Sequence, residues 1–196
     1  MSYSTDAITE DCYKDTTCLI NKLGITDEKK LQEFESAITL AKASEIENQK
    51  MAIPFDTKDY KMIHKYLFED IYEWAGNFRT INMSKNGTPF SEYKYIDELM
   101  DSAFCHLREK SYFKRDTFDE FIEDIVDFYC TTNIIHPFRE GNGRVQRLFI
   151  AQLVRYNYYD IDFARVDKDE LLIATIQSAN GVTDYLKDVF RKIIIK

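Results

Sequence analysis

Residues 136 to 147 read HPFREGNGRVQR and gather the side chains best suited to chemistry at phosphorus. His136 can accept a proton near neutral pH. Gly141 and Gly143, on either side of Asn142, permit backbone angles at which successive N–H groups converge on an anion. Arg144 and Arg147 stand three residues apart, so on a helix they share a face and offer charge-assisted bonds to phosphate oxygens. Glu140 beside such a nest repels phosphate unless a cation bridges the two, which implies Mg²⁺. Nest, metal, cationic clamp and base together describe transfer of a phosphorus-containing group, with the rate coming from positioning and charge stabilisation. The lysine and the glycine spacing of a Walker A loop are missing.

A loop of this kind needs rigid elements on both sides. Phe118, Phe121, Ile122, Ile125, Val126, Phe128, Tyr129 and Ile134 predict a helix apolar on most faces, opened by the capping pattern Thr117 to Glu120 and running straight into His136. Val145, Leu148, Phe149, Leu153, Val154 and Tyr156 predict a second core helix beyond the loop. Helical periodicity also covers Leu31 to Met51 up to Pro54, Asp59 to Trp74 closed by Gly76, and Tyr95 to Lys110. Two more helices are expected at Leu171 to Gln177 and Tyr185 to Ile195. Residues 78–92, with an Asn-Gly turn at Asn86-Gly87, predict the only β-hairpin, and it either packs on the helices or covers the site as a flap. Its edge could pair with an incoming peptide. The expectation is an all-α single domain over 1–196, with residues 1–20 an irregular lead-in.

Composition narrows the function classes. A hydrophobic share of 44% supports a sizeable core, and 6 glycines and 3 prolines suit helices better than a many-turned β fold. The net charge of -8 argues against broad binding to nucleic acid or an anionic membrane. Cys12, Cys18, Cys105 and Cys130 match no metal-ligand spacing, no signal peptide is evident, and no apolar run reaches the length of a membrane span. A cytoplasmic protein is expected, with release through a secretion system that needs no N-terminal signal left open.

The twelve residues fill every defined position of the Fic-domain signature HxFx(D/E)GNGRxxR, and the chain resembles that family. The stretch from Ile63 to Gly76 resembles its first signature, and Arg79 with the hairpin from Lys85 to Phe90 resembles its flap. The resemblance implies transfer of AMP from ATP to a protein hydroxyl, with release of pyrophosphate. It implies His136 as general base and Glu140 as Mg²⁺ ligand. Gly141, Asn142 and Gly143 would form an anion hole, and Arg144 and Arg147 would contact phosphates. Lys85 and Asn86 would meet the nucleotide and dock a target protein on the flap. Doc-type kinases of the superfamily carry lysine at the second glycine of GNG, so Gly143 favours AMP transfer over phosphorylation. Many relatives restrain themselves through a helix bearing (S/T)xxxE(G/N). Here only Thr88 to Glu92 fits its first part, followed by Tyr93 inside the flap. That pattern resembles toxin-type members, which are restrained by a separate antitoxin whose glutamate would pair with Arg147, and which modify bacterial type II topoisomerases.

Each residue also has a plainer reading. His64 and His106 fit structural or solvated histidines, and Arg144 and Arg147 could pair with acidic residues instead of phosphate. The competing functional classes are a non-catalytic nucleotide-binding interaction module and a Fic enzyme that transfers a different phosphate-containing group.

Overall fold

The computed structural model describes residues 4–5, 11–47, 55–85 and 87–195; Asn86 and Pro54 lie outside the described residues. Seven α-helices are found among them: α1 (Glu28–Glu47), α2 (Thr57–Phe68), α3 (Ile96–Glu109), α4 (Phe118–Ile135), α5 (Asn142–Tyr156), α6 (Lys168–Ala179) and α7 (Asp184–Ile193). The expected all-α architecture is what forms.

Helix α4 packs against α3, α5, α6 and α7, and α5 packs against α1, α2 and α4. The two helices flanking the motif are therefore the most enclosed pair, as their apolar sequences require. Phe149 of α5 meets the rings of Phe55, Tyr60, Phe104 and Phe128 at centroid distances of 5.3 to 5.7 Å. It is fully buried, a location that stabilises by roughly 1.5–3 kcal/mol per large apolar side chain.

Three boundaries differ from the sequence expectation. Helix α2 stops at Phe68 instead of continuing to Trp74, because residues 69–76 fold back in turns. They end at Gly76, whose φ of +86 suits glycine and whose N–H donates to His64 Nδ1 at 2.8 Å. The chain's end is not wholly helical. Ile194–Ile195 form a strand, β5, antiparallel to β4 (Asp160–Ile161), since Ile194 already has extended backbone. The hairpin is confined to β2 (Met83–Lys85) and β3 (Thr88–Pro89). A third strand, β1 (Ser4–Thr5), pairs with β2 in the register Ser4 to Ser84 and Thr5 to Met83. So the lead-in is not entirely irregular: two of its residues complete one sheet edge, and a lone hairpin gains the third strand that such structures need. A bridge between Cys12 and Leu19 closes another turn of the lead-in.

Candidate active site

The motif begins where α4 ends. His136 is the C-cap of α4 in the left-handed region (φ 47, ψ 62), its N–H still donating to Thr132 O at 3.1 Å. That geometry turns the chain sharply and leaves the imidazole under the flap. The ring lies parallel to Phe90 at 3.8 Å between centroids. His136 Nδ1 is 3.3 Å from the carbonyl of Asn133, which can only accept, so Nδ1 carries the proton and the basic lone pair is on Nε2. Burial, then Lys85 and Arg79, pull the imidazole down to about 3, so it is neutral at physiological pH.

Phe138 anchors the loop. It is fully buried and stacks on Tyr60 at 5.7 Å and on His64 at 3.8 Å. Asn142 closes the turn by accepting from Phe138 N–H at 2.8 Å and donating to Phe138 O at 2.7 Å. Its side chain thus ties the loop together through both its oxygen and its nitrogen. With Gly141 as N-cap, the amides of Arg144 and Val145 donate to Gly141 O. The amides of Asn142 and Gly143, in the first turn, have no intrahelical acceptor. They open at the positive end of the α5 dipole, where a negative charge would be stabilised.

The two glycines do different work. Gly141 has φ +80, and a Cβ there would come within 2.2 Å of the Phe68 ring. Gly143 does not supply an unusual backbone angle, contrary to the sequence reading, because it sits inside α5. A Cβ at Gly143 would instead meet Arg147 Nη1 at 3.2 Å, so its smallness leaves room for that guanidinium.

Glu140 sits beside the nest. Its Oε1 accepts from Gly141 N–H at 2.8 Å and lies 3.2 Å from Arg144 Nη2. Burial, then Glu35, raise its carboxyl above the usual range. Lys85 and Arg144 act on it in the opposite direction, so Lys85 at the end of β2 faces both Glu140 and His136 electrostatically. Among the described residues no group of three or more His, Cys, Asp or Glu could hold a metal. A cation at Glu140 would take its remaining ligands from phosphate oxygens and water, which is how Mg²⁺ is usually held, so the single carboxylate fits.

The two arginines part company. Arg144 pairs with Glu35 at 2.5 Å and with Glu140, the plainer reading of that residue, and bonds Thr39 at 3.2 Å. Burial lowers its pKa, but Glu35 and Glu140 outweigh this and raise it. For Arg147 no carboxylate partner is found among the described residues, and burial lowers its pKa.

Three residues outside the expected site set support it. Arg79, only 5% exposed, donates to the carbonyls of His136 (2.8 Å), Ile81 (2.5 Å), Ser91 (2.5 Å) and Ile135 (3.1 Å). Its own N–H donates to Pro137 O at 2.8 Å. His64 accepts from Gly76 N–H at Nδ1, which places its proton on Nε2, 3.1 Å from Glu140 O. It is a buried structural histidine, as the plainer reading had it, and it steadies the Glu140 backbone. Glu35 holds Arg144. The sequence signal for His64 and Arg79 was their place in the first signature and beside the flap; nothing in the helical pattern of α1 singles out Glu35.

A helical fold with this loop-to-helix junction defines the class: the chain belongs to the Fic/DOC family, whose model matches residues 54–154. It is 35% identical over 184 residues to the protein adenylyltransferase VbhT of Bartonella schoenbuchensis, covering 93% of this chain but 38% of that protein. It is 33% identical to a probable protein adenylyltransferase, y4lH, of Sinorhizobium fredii, covering 93% of this chain and 94% of the relative. The crystal structure of BepC, a VirB-translocated effector of Bartonella tribocorum with bound AMPPNP, superposes with a TM-score of 0.88 at 30% identity, covering 94% and 95% of the two chains. No helix among the described residues is long and apolar enough to cross a membrane.

Proposed function

We propose that this protein transfers AMP from ATP to a hydroxyl side chain of a target protein and releases pyrophosphate. The observation that carries this reading is the arrangement at the α4–α5 junction. A neutral His136 with its lone pair on Nε2 shares one loop with two helix-start amides that have no intrahelical acceptor and with the cation-ready Glu140. Relatives named protein adenylyltransferases, and the AMPPNP bound in BepC, support the same reaction and the same nucleotide class.

In this scheme the amides of Asn142 and Gly143 hold the α-phosphate, and Arg147 takes the outer phosphates. Mg²⁺, when bound at Glu140, neutralises phosphate charge. His136 Nε2 takes the proton from the attacking hydroxyl, and oxygen displaces pyrophosphate at the α-phosphorus. Phosphate charge arriving beside His136 opposes the pull of Lys85 and Arg79, strengthening the base when nucleotide is present. Lys85, and Asn86 by the family pattern, would meet nucleotide and target at the flap. In the strand order β1-β2-β3, β3 is one of two outer strands, and its free edge is the one proposed for a docking segment.

Regulation is read the same way. An antitoxin glutamate is proposed as the partner of Arg147, for which no carboxylate partner is found among the described residues. The target class most in keeping with toxin-type members is a bacterial type II topoisomerase, with the reaction in the cytoplasm. The test is incubation with α-labelled ATP, Mg²⁺ and bacterial lysate. A labelled target protein is expected, absent with His136→Ala, and no labelling by the wild type across such lysates contradicts the proposal.

A further inference from the structure

The contact that fixes Arg144 is built outside the motif. The Glu35 side chain on α1 is 7% exposed and uses both of its oxygens. Oε1 accepts from Arg144 Nη2 at 2.5 Å, and Oε2 accepts from the Tyr72 hydroxyl at 2.5 Å. Thr39, one turn along α1, donates to Glu35 O at 2.7 Å and accepts from Arg144 Nη1 at 3.2 Å. Phe68 lies 4.8 Å from the guanidinium. The same Nη2 reaches Glu140 Oε1 at 3.2 Å, a longer contact than the one to Glu35. One cation therefore serves two carboxylates.

Counted as charges, the two carboxylates and the guanidinium they share leave one negative charge, with Lys85 a lesser influence on Glu140 than Arg144. Glu140 and Arg144 alone would leave none, and a cation approaching Glu140 would have to break an ion pair to bind. With Glu35 present, the arginine already has its own counter-ion on a separate helix. We propose that Glu35 is a positioning residue that engages Arg144, with Tyr72 orienting it, and so keeps Glu140 available to the divalent cation that accompanies the nucleotide. Sequence distance hides this role, because Glu35 stands on a helix remote from the motif. Groups that orient and charge-balance a metal-binding side chain commonly control metal affinity by ~10- to 100-fold. The inference rests on the nucleotide-and-cation reading of the site given above.

The test is calorimetric binding of AMPPNP to the full chain with and without Mn²⁺, comparing wild type with Glu35→Gln. In the wild type the cation is expected to tighten AMPPNP binding. In Glu35→Gln that gain shrinks by about tenfold or more, while AMPPNP without cation binds at least as tightly, since a negative charge near the phosphates has gone. Equal gains in the two proteins, or parallel weakening with and without cation, overturn the inference. Absence of any gain in the wild type overturns the underlying reading of Glu140 and this inference with it, and is distinct from equal gains. Tyr72→Phe is the second variant, since it keeps every charge and removes only the bond that orients Glu35. A gain reduced by about threefold is expected for it, and an unchanged gain counts against the proposal.

Discussion

Arg79 Nε donates to the backbone carbonyl of His136 at 2.8 Å, while Nη2 of the same guanidinium donates to Ser91 O at 2.5 Å. One buried cation thereby fastens the base-bearing turn to the chain that leaves β3. Burial pulls that guanidinium down to about 10, yet it stays charged at neutral pH and its carbonyl partners take the place of water.

Replacing Arg79 with Met should leave several buried carbonyls without donors. Hydrogen bonds to charged groups contribute about 1.5–3 kcal/mol each, so a loss of about 3 kcal/mol or more is expected. Chemical denaturation measures it. Transfer activity should fall even below the melting temperature, because the flap is no longer tied to His136. Arg79→Lys should recover only part, since an ammonium cannot reproduce the planar fork.

Gly141 and Gly143 offer a paired comparison. Gly141→Ala meets both a φ of +80 and the Phe68 ring, so it should destabilise the fold by about 2–4 kcal/mol. Gly143→Ala sits in regular helix and should fold near normally. It presses on Arg147, so its effect belongs in a raised KM for ATP. Thermal melts and steady-state kinetics on both variants separate the two roles.

His64 and His136 are each held near a pKa of about 3 mainly by burial, against about 6.5 for a free imidazole. The unfolded chain therefore binds more protons than the folded one between those values. Stability is full above pH ~6.5 and declines as pH falls toward 3, at up to about 1.4 kcal/mol per pH unit for each histidine. Urea titrations at pH 7, 6 and 5 should show the fall, and His64→Gln should remove about half of the slope.

Much of this was legible because the motif is contiguous. His136 through Arg147 fall on one loop and one helix start, and the apolar spacing of Phe118 to Ile134 and Val145 to Tyr156 located the helices on either side. The all-α class followed from helical periodicity together with the scarcity of glycine and proline. Less legible were features made by distant pairing. Glu35 meets Arg144 across more than a hundred residues, and Ser4–Thr5 pair with a strand far along the chain, at Met83 and Ser84. The end of α2 at Phe68 was hidden because the apolar spacing continues through Ile71 and Trp74 after the backbone has turned. The side-chain role of Asn142, which closes the loop onto Phe138, was not legible either.

In the proposed reaction the α-phosphorus of ATP, held at the amides of Asn142 and Gly143, is attacked by a hydroxyl that His136 deprotonates. The most direct measurement gives the protein and its target ATP labelled at either the α- or the γ-phosphate. Label from the α-position is expected to enter the target, none from the γ-position, and His136→Ala is expected to abolish transfer. Label arriving from the γ-phosphate, or α-label transfer undiminished in His136→Ala, would contradict it.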